Sequence, residues 1–158
     1  MRNWFIGGGA VAVTALTVLF VATAPSDEDL IRQAIEESSK ASSEGKPGGV
    51  LDYIDSAFLF NNTPAFDRNE IAKVVRLAKP EVEFSSFAPQ IEGDEATVVA
   101  DVKLKLDYLS FNIDRTVPGV EVRLRKTTGT RWLVFPGTKW KITEISAPEL
   151  AQYSSGAF

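Results

Sequence analysis

The chain contains no cysteine and no histidine. Without cysteine there is no disulfide, no thiolate metal site and no lipid-modified cysteine at a processed amino terminus. Without histidine, the commonest general base and the commonest metal ligand are both missing. Zinc chemistry and Ser-His-Asp catalysis are therefore excluded, and a carboxylate-only site remains possible. A third absence is local. No charged residue occurs from Asn3 to Ala24, and every carboxylate lies beyond Ser26. Setting residues 1–24 aside removes one cation, Arg2, from the 17, leaving 16 cations against 21 carboxylates and a net charge of −5. A modestly acidic surface argues against nucleic acid as the partner, because phosphate recognition needs a concentrated basic face.

What is present divides the 158 residues into an apolar segment and one domain. Residues Trp4 to Ala24 form an uncharged run of 21. In a helix they would span about 32 Å, the thickness of a bilayer's hydrocarbon core. Arg2 precedes the run and Asp27, Glu28 and Asp29 follow it. By the positive-inside rule the amino terminus stays in the cytoplasm and the domain is exported, periplasmic or extracellular. Residues 1–24 are thus expected to be a transmembrane signal-anchor helix that contacts the lipid bilayer through residues 4–24. Gly8 and Ala12 form a small-xxx-small pair on which two such helices can pack. Ala22-Thr23-Ala24 also has the form of a signal-peptidase site, but the apolar run is long for a signal peptide and Pro25 would follow the cut. The anchor is the reading adopted.

Residues 25–146 read as an α+β domain, and 147–158 as a weakly ordered tail. Ser26 with Asp29 opens a helix whose apolar positions Leu30, Ile31, Ala34, Ile35, Ser38 and Ala41 recur at three- and four-residue spacing. Gly45 and Pro47-Gly48-Gly49 stop it. Val50 to Ile54 is expected to form a second helix, Ala57 to Phe60 a short strand, and Asn61 to Phe66 a loop. Asp67 with Glu70 makes a capping box for a third helix ending at Pro80. After Pro80 the period changes to two. Val82 and Phe84 begin a strand reaching about Phe87, and Gly93-Asp94 makes a turn. Val98, Ala100, Val102, Leu104, Leu106 and Tyr108 then alternate with Val99, Asp101, Lys103, Lys105 and Asp107, apolar on one face and mostly charged on the other. Val120, Val122 and Leu124 alternate likewise with Glu121, Arg123 and Arg125, and Trp140 and Ile142 with Lys141 and Thr143. Cross-strand ion pairs are expected between the outward residues of the first set and Glu121, Arg123 and Arg125. Thr130 to Lys139 is either a hairpin turning at Pro136-Gly137 or a protruding apolar loop.

Four phrases, in this order, resemble the nuclear-transport-factor-2-like superfamily, which includes ketosteroid isomerase and SnoaL-like proteins. They are Asp52-Tyr53-Ile54-Asp55-Ser56-Ala57-Phe58, Asp67-Arg68-Asn69-Glu70-Ile71, Gly93-Asp94-Glu95-Ala96-Thr97-Val98 and Trp140-Lys141-Ile142-Thr143-Glu144-Ile145. The resemblance implies a cone of three helices packed on a curved antiparallel sheet, with a pocket between the helices and the concave face. It also implies that the outer sheet face can hold a second copy or another protein. The inserted Thr130 to Lys139 departs from the family's short turn before the final tryptophan.

Enzymes of that superfamily use a carboxylate base and polar oxyanion donors deep in the cone, and Asp52, Tyr53 and Asp55 are the nearest candidates here. Asp55 also suits a turn cap, and no matched carboxylate pair is visible, so no catalytic residue is assigned. A metal site and a cofactor are likewise not expected. If the cone is open to an apolar ligand, Tyr53, Phe58, Phe60, Tyr108, Val122 and Trp140 would line it; if not, they fill the core. Trp132, Leu133, Val134 and Phe135 are a candidate interaction loop for a partner or the bilayer surface. The sequence thus points to a membrane-anchored, non-catalytic binding or assembly module. A binder of small apolar ligands is the alternative, and a carboxylate-dependent isomerase or hydrolase the third choice.

Overall fold

The computed structural model describes residues 25–64, 67–108, 111–131 and 135–151. Helix α1 (Asp27–Ser43) begins in a reciprocal cap, the Ser26 hydroxyl accepting from the Asp29 amide and the Asp29 side chain accepting from Ser26. Its buried stripe contains Ile31, Ala34, Ile35, Ser38 and Ala41, as the spacing predicts. Helix α2 (Pro47–Leu51) begins three residues earlier than expected. Gly48 and Gly49 lie inside it rather than stopping a helix, because Pro47 occupies a first-turn position where its missing N–H costs nothing. At Gly49 a Cβ would sit 2.7 Å from the Ala41 methyl, so glycine is what lets α2 approach α1 this closely. Helix α3 (Arg68–Ala78) carries the expected Asp67–Glu70 capping box and ends at Lys79 in the left-handed region.

The strands are β1 (Ile54–Phe60), β2 (Thr63–Pro64), β3 (Glu81–Phe84), β4 (Gln90–Glu92), β5 (Glu95–Tyr108), β6 (Phe111–Arg131) and β7 (Phe135–Ser146). They form one sheet in the order β2-β1-β7-β6-β5-β3, with β4 also paired to β5. The three helices and this curved sheet make a cone-like α+β fold. The sheet is not wholly antiparallel, since β1 runs parallel to β7. The loop expected over residues 61–66 contains β2 instead, and β4 was not anticipated at all. Strand β6 extends well below Val120. It passes through Pro118-Gly119, where one extra residue lies between the pairs Ala100↔Val120 and Val102↔Val117. Gly119 takes φ +60 there, the backbone of a glycine bulge, and its amide donates to Asp101 Oδ1 at 3.0 Å. The β6–β7 hairpin does not turn at Pro136-Gly137: those residues sit in the ladder opposite Thr130 and Gly129.

The core lies between α1 and one face of the sheet. Ile31, Ala34 and Ile35 meet Ala96, Val98 and Val102 of β5, Val117, Val120, Val122 and Leu124 of β6, and Trp140 and Ile142 of β7. A smaller cluster, Ala41, Val50, Ile54 and Val75, joins the helices to the start of β1. The fold continues past Ser146 into residues read from sequence as a tail. Ala147 is buried, and a 3₁₀ turn (Pro148–Leu150) sets Leu150 against the main core. Among the described residues no helix is long and apolar enough to cross a membrane; the expected anchor, 1–24, lies outside them.

Candidate functional site

The six residues proposed as a ligand lining do not form one group. Val122 and Trp140 are fully buried, and Tyr53, Phe58 and Phe60 pack against the same cluster. Tyr108 stands apart, half-buried at the far end of β5 opposite Phe111. Trp140 is held by polar groups as well as packing. Its indole Nε1 donates to Asp27 Oδ1 at 3.1 Å, and Lys126 Nζ donates to Asp27 Oδ2 at 2.9 Å. The Lys126 contact, then the indole bond, hold the Asp27 carboxyl below its usual range against the opposing effect of burial. Asp27 thereby ties the first turn of α1 to the β6–β7 hairpin.

The three acid–base candidates diverge. Asp52 is an exposed residue at the C-cap of α2. Asp55 accepts from the Ala57 amide at 2.9 Å, a local turn cap, and faces a groove on the outer side of the sheet. Tyr53 points elsewhere: its hydroxyl donates to Glu37 Oε2 on α1 at 3.0 Å, and Lys139 lies over its ring at 4.5 Å. Burial, with the Glu37 hydrogen bond next, pushes the phenol up to about 12, so it stays protonated and is no base. Among the described residues no cluster of three or more carboxylates could hold a metal ion.

The outer face carries the expected charges in a different register. Asp101, Lys103, Lys105 and Asp107 do not oppose Glu121, Arg123 and Arg125. Lys103 faces Thr116, Lys105 faces Asp114 and Asp107 faces Asn112, while Lys105 also reaches Glu81 of β3 at 3.9 Å. Glu121, Arg123 and Arg125 instead oppose Val99, Thr97 and Glu95. The physical reason is that β6 is long and bulged, so its upper half pairs with the first residues of β5. Arg123 binds Glu121 at 2.6 Å and Glu144 at 3.1 Å, and Glu144 is a buried carboxylate that no alternation rule singled out.

Beside these residues runs a groove of about 350 Å³ lined by Asp55, Ala57, Leu59, Thr97, Arg123 and Thr143. Val99, 54% exposed, follows Thr97 on the same face of β5. A second, open groove of about 910 Å³ lies between α1 and the β3 edge, where the Arg32 guanidinium stacks on Phe87 at 4.1 Å. Sequence reasoning also missed Arg115. It shares a face of β6 with the buried Ile113 and Val117, and its Nη2 donates to the Glu149 carbonyl at 3.5 Å. The alternation Ile113, Arg115, Val117 was the available signal. Of the candidate interaction loop, Trp132, Leu133 and Val134 lie outside the described residues, and Phe135 opens β7 opposite Arg131.

No protein-family model matches the sequence, and neither does any curated protein. Solved structures do match. An NTF2-like protein from Cytophaga hutchinsonii superposes with a TM-score of 0.59 at 14% identity, over 77% of this chain and 97% of that one. An NTF2-like protein of unknown function in nutrient uptake, from Rhodospirillum rubrum, gives 0.58 at 18% identity, over 73% and 94%. A conserved protein from Planctomyces limnophilus gives 0.55 at 15% identity, over 76% and 93%. At such identities the likeness is one of fold: this chain has an NTF2-like fold.

Proposed function

We propose that this protein is a non-catalytic binding or assembly module, tethered to a membrane by residues 1–24 and displaying residues 25–151 outside the cytoplasm. Its working surface is the outer face of the sheet, where it meets a second copy or another protein. The observation that carries the reading is the distribution of polar groups. The candidate acid–base residues diverge, whereas on the outer face the Arg123–Glu144 ion pair is flanked by Ala57 and Leu59 of β1 on one side and by Thr97 and Val99 of β5 on the other. An arginine with apolar side chains on either side suits a protein-binding patch, because arginine is enriched at such interfaces. The fully buried Trp140 and Val122 belong to a packed core, which favours this reading over an apolar ligand in the cone.

The absence of cysteine makes the test direct, since one introduced thiol is the only one in the chain. In membranes carrying the full chain, Val99→Cys is expected to cross-link with a short thiol-reactive bifunctional reagent into a discrete larger species. Lys73→Cys, exposed on α3, is expected to stay monomeric. Val99→Glu, placed opposite Glu121, should abolish the association. Equal, low cross-linking at both positions would remove the sheet face as the working surface. Saturable binding of an apolar fluorescent probe in the same chain would shift the reading to a ligand carrier.

A further inference from the structure

The β6–β7 hairpin outruns the rest of the sheet. Strand β5 pairs with β6 only as far as Glu95↔Arg125, but β6 and β7 stay paired from Lys126↔Trp140 to Arg131↔Phe135. At about 3.4 Å per residue this two-stranded arm projects roughly 17 Å beyond the β5 end. Its charge is one-sided. From Arg125 to Lys141 there are five cations and no carboxylate, against 12 cations and 21 carboxylates in the rest of the chain. Arg125 and Lys141 oppose each other directly in the ladder, an arrangement that repels unless an anion shares it. Among the described residues the carboxylate paired with either is Glu95, 4.0 Å from Arg125 and 76% exposed itself.

The chain enters the fold beside this arm. Asp27 is bonded to Lys126 and Trp140 at the arm's base. At its other end α1 is bonded to the start of β3, Ser42 Oγ donating to the Pro80 carbonyl at 2.9 Å, and β3 begins opposite Lys105. Helix α1 therefore runs along β5 from the Glu95 end to the Lys105 end, and the arm projects the opposite way, beyond the end of the sheet where α1 begins.

From this juxtaposition we infer that the basic β6–β7 arm rests on the anionic phospholipid headgroups of the membrane that holds the anchor, with Arg125 and Lys141 facing lipid phosphate. This rests on residues 4–24 being that anchor. The contact fixes the orientation of the domain. It stands the sheet away from the bilayer with its Lys105 end outward and keeps the outer-face groove open to a partner. It is electrostatic, so it weakens as salt rises and the screening length falls below about 8 Å. Each cation at an anionic surface is worth roughly fivefold in binding.

The test uses the full chain reconstituted into vesicles of phosphatidylcholine alone or mixed equally with phosphatidylglycerol, with a quencher on the lipid headgroup. A fluorophore on Thr128→Cys, exposed on the arm, reports the contact; one on Thr116→Cys, exposed far along β6, is the reference. Quenching at Thr128→Cys is expected to exceed that at Thr116→Cys several-fold in the anionic vesicles. The difference should vanish in phosphatidylcholine and at high salt. In the doubly substituted Arg125→Gln, Lys141→Gln chain the docked population should fall by more than tenfold, with circular dichroism unchanged. Equal quenching at the two sites in anionic vesicles, by a chain that alkaline carbonate does not extract, would overturn the arm contact alone. A difference that persists in neutral lipid would overturn its electrostatic basis. Extraction of the wild-type chain by carbonate would overturn the anchor, and the inference with it.

Discussion

Trp140→Ala is expected to destabilise the domain by about 3–5 kcal/mol, the cost of truncating a large aromatic in a packed core. Trp140 is 0% exposed and lies where β6, β7 and α1 meet. The substitution removes the indole that accounts for one of the two tertiary bonds of Asp27, leaving Lys126 as the other. Since a domain of this size has about 5–15 kcal/mol in all, the variant should sit near the edge of folding at 37 °C. Trp140→Phe keeps most of the volume and loses the N–H, so it should cost about 1–2 kcal/mol. Urea denaturation of residues 25–158, followed by circular dichroism, separates the two. A Trp140→Ala loss below about 1 kcal/mol would mean that the residue lines a space that collapses easily, as in a ligand cavity.

Gly119→Val is expected to cost about 2–3 kcal/mol for a different reason. The Cβ meets nothing within 4 Å, so space is not the issue. The backbone is: φ is +60, a region that a β-branched residue enters only under strain. The bulge at Gly119 also lets Val117 and Val120 both face the core, which a regular strand would forbid. Forcing regular pairing would turn one of them outward, so stability and sheet curvature fail together. Gly119→Asn, which tolerates the left-handed region, should lose clearly less than valine in the same urea titration. Equal losses for the two would show that strain is not the cause.

Those two residues also mark how far the fold was legible before the structure. Strand β5 was read correctly because one regular strand carries a single, unbroken alternation from Val98 to Tyr108. Helix α3 was legible because Asp67 and Glu70 satisfy each other's backbone donors locally. Reading failed where tertiary pairing overrides local signals. Pro136-Gly137 looks like a turn, yet it lies within the β6–β7 ladder. The bulge at Gly119 reverses the phase of β6, which hid the shared face of Ile113, Arg115 and Val117. A second irregularity, between Arg123 and Leu124 on β6 and around Thr143 on β7, placed Glu144 under Arg123. Strand β4, three residues long, carries too little alternation to register.

For the site, the outward charges of β5 were legible as a face but their partners were not, because register depends on β6 rather than on β5 alone. The separation of Asp52, Tyr53 and Asp55 could not be seen either. They are near neighbours in sequence, but the chain passes from helix to strand between them and turns Asp55 to the outer groove while Tyr53 reaches Glu37.

The central claim, a domain tethered outside the cytoplasm by residues 1–24, is tested most directly by the sidedness of the full chain in its native membrane. Intact cells or right-side-out vesicles would be treated with a membrane-impermeant thiol reagent after introducing Asn3→Cys or Lys73→Cys. The account predicts labelling of Lys73→Cys only, with Asn3→Cys labelled once the membrane is opened, and full-length protein retained in the pellet after alkaline carbonate. Protection of Lys73→Cys in sealed membranes, or release of a chain shortened by its first 24 residues, would contradict it.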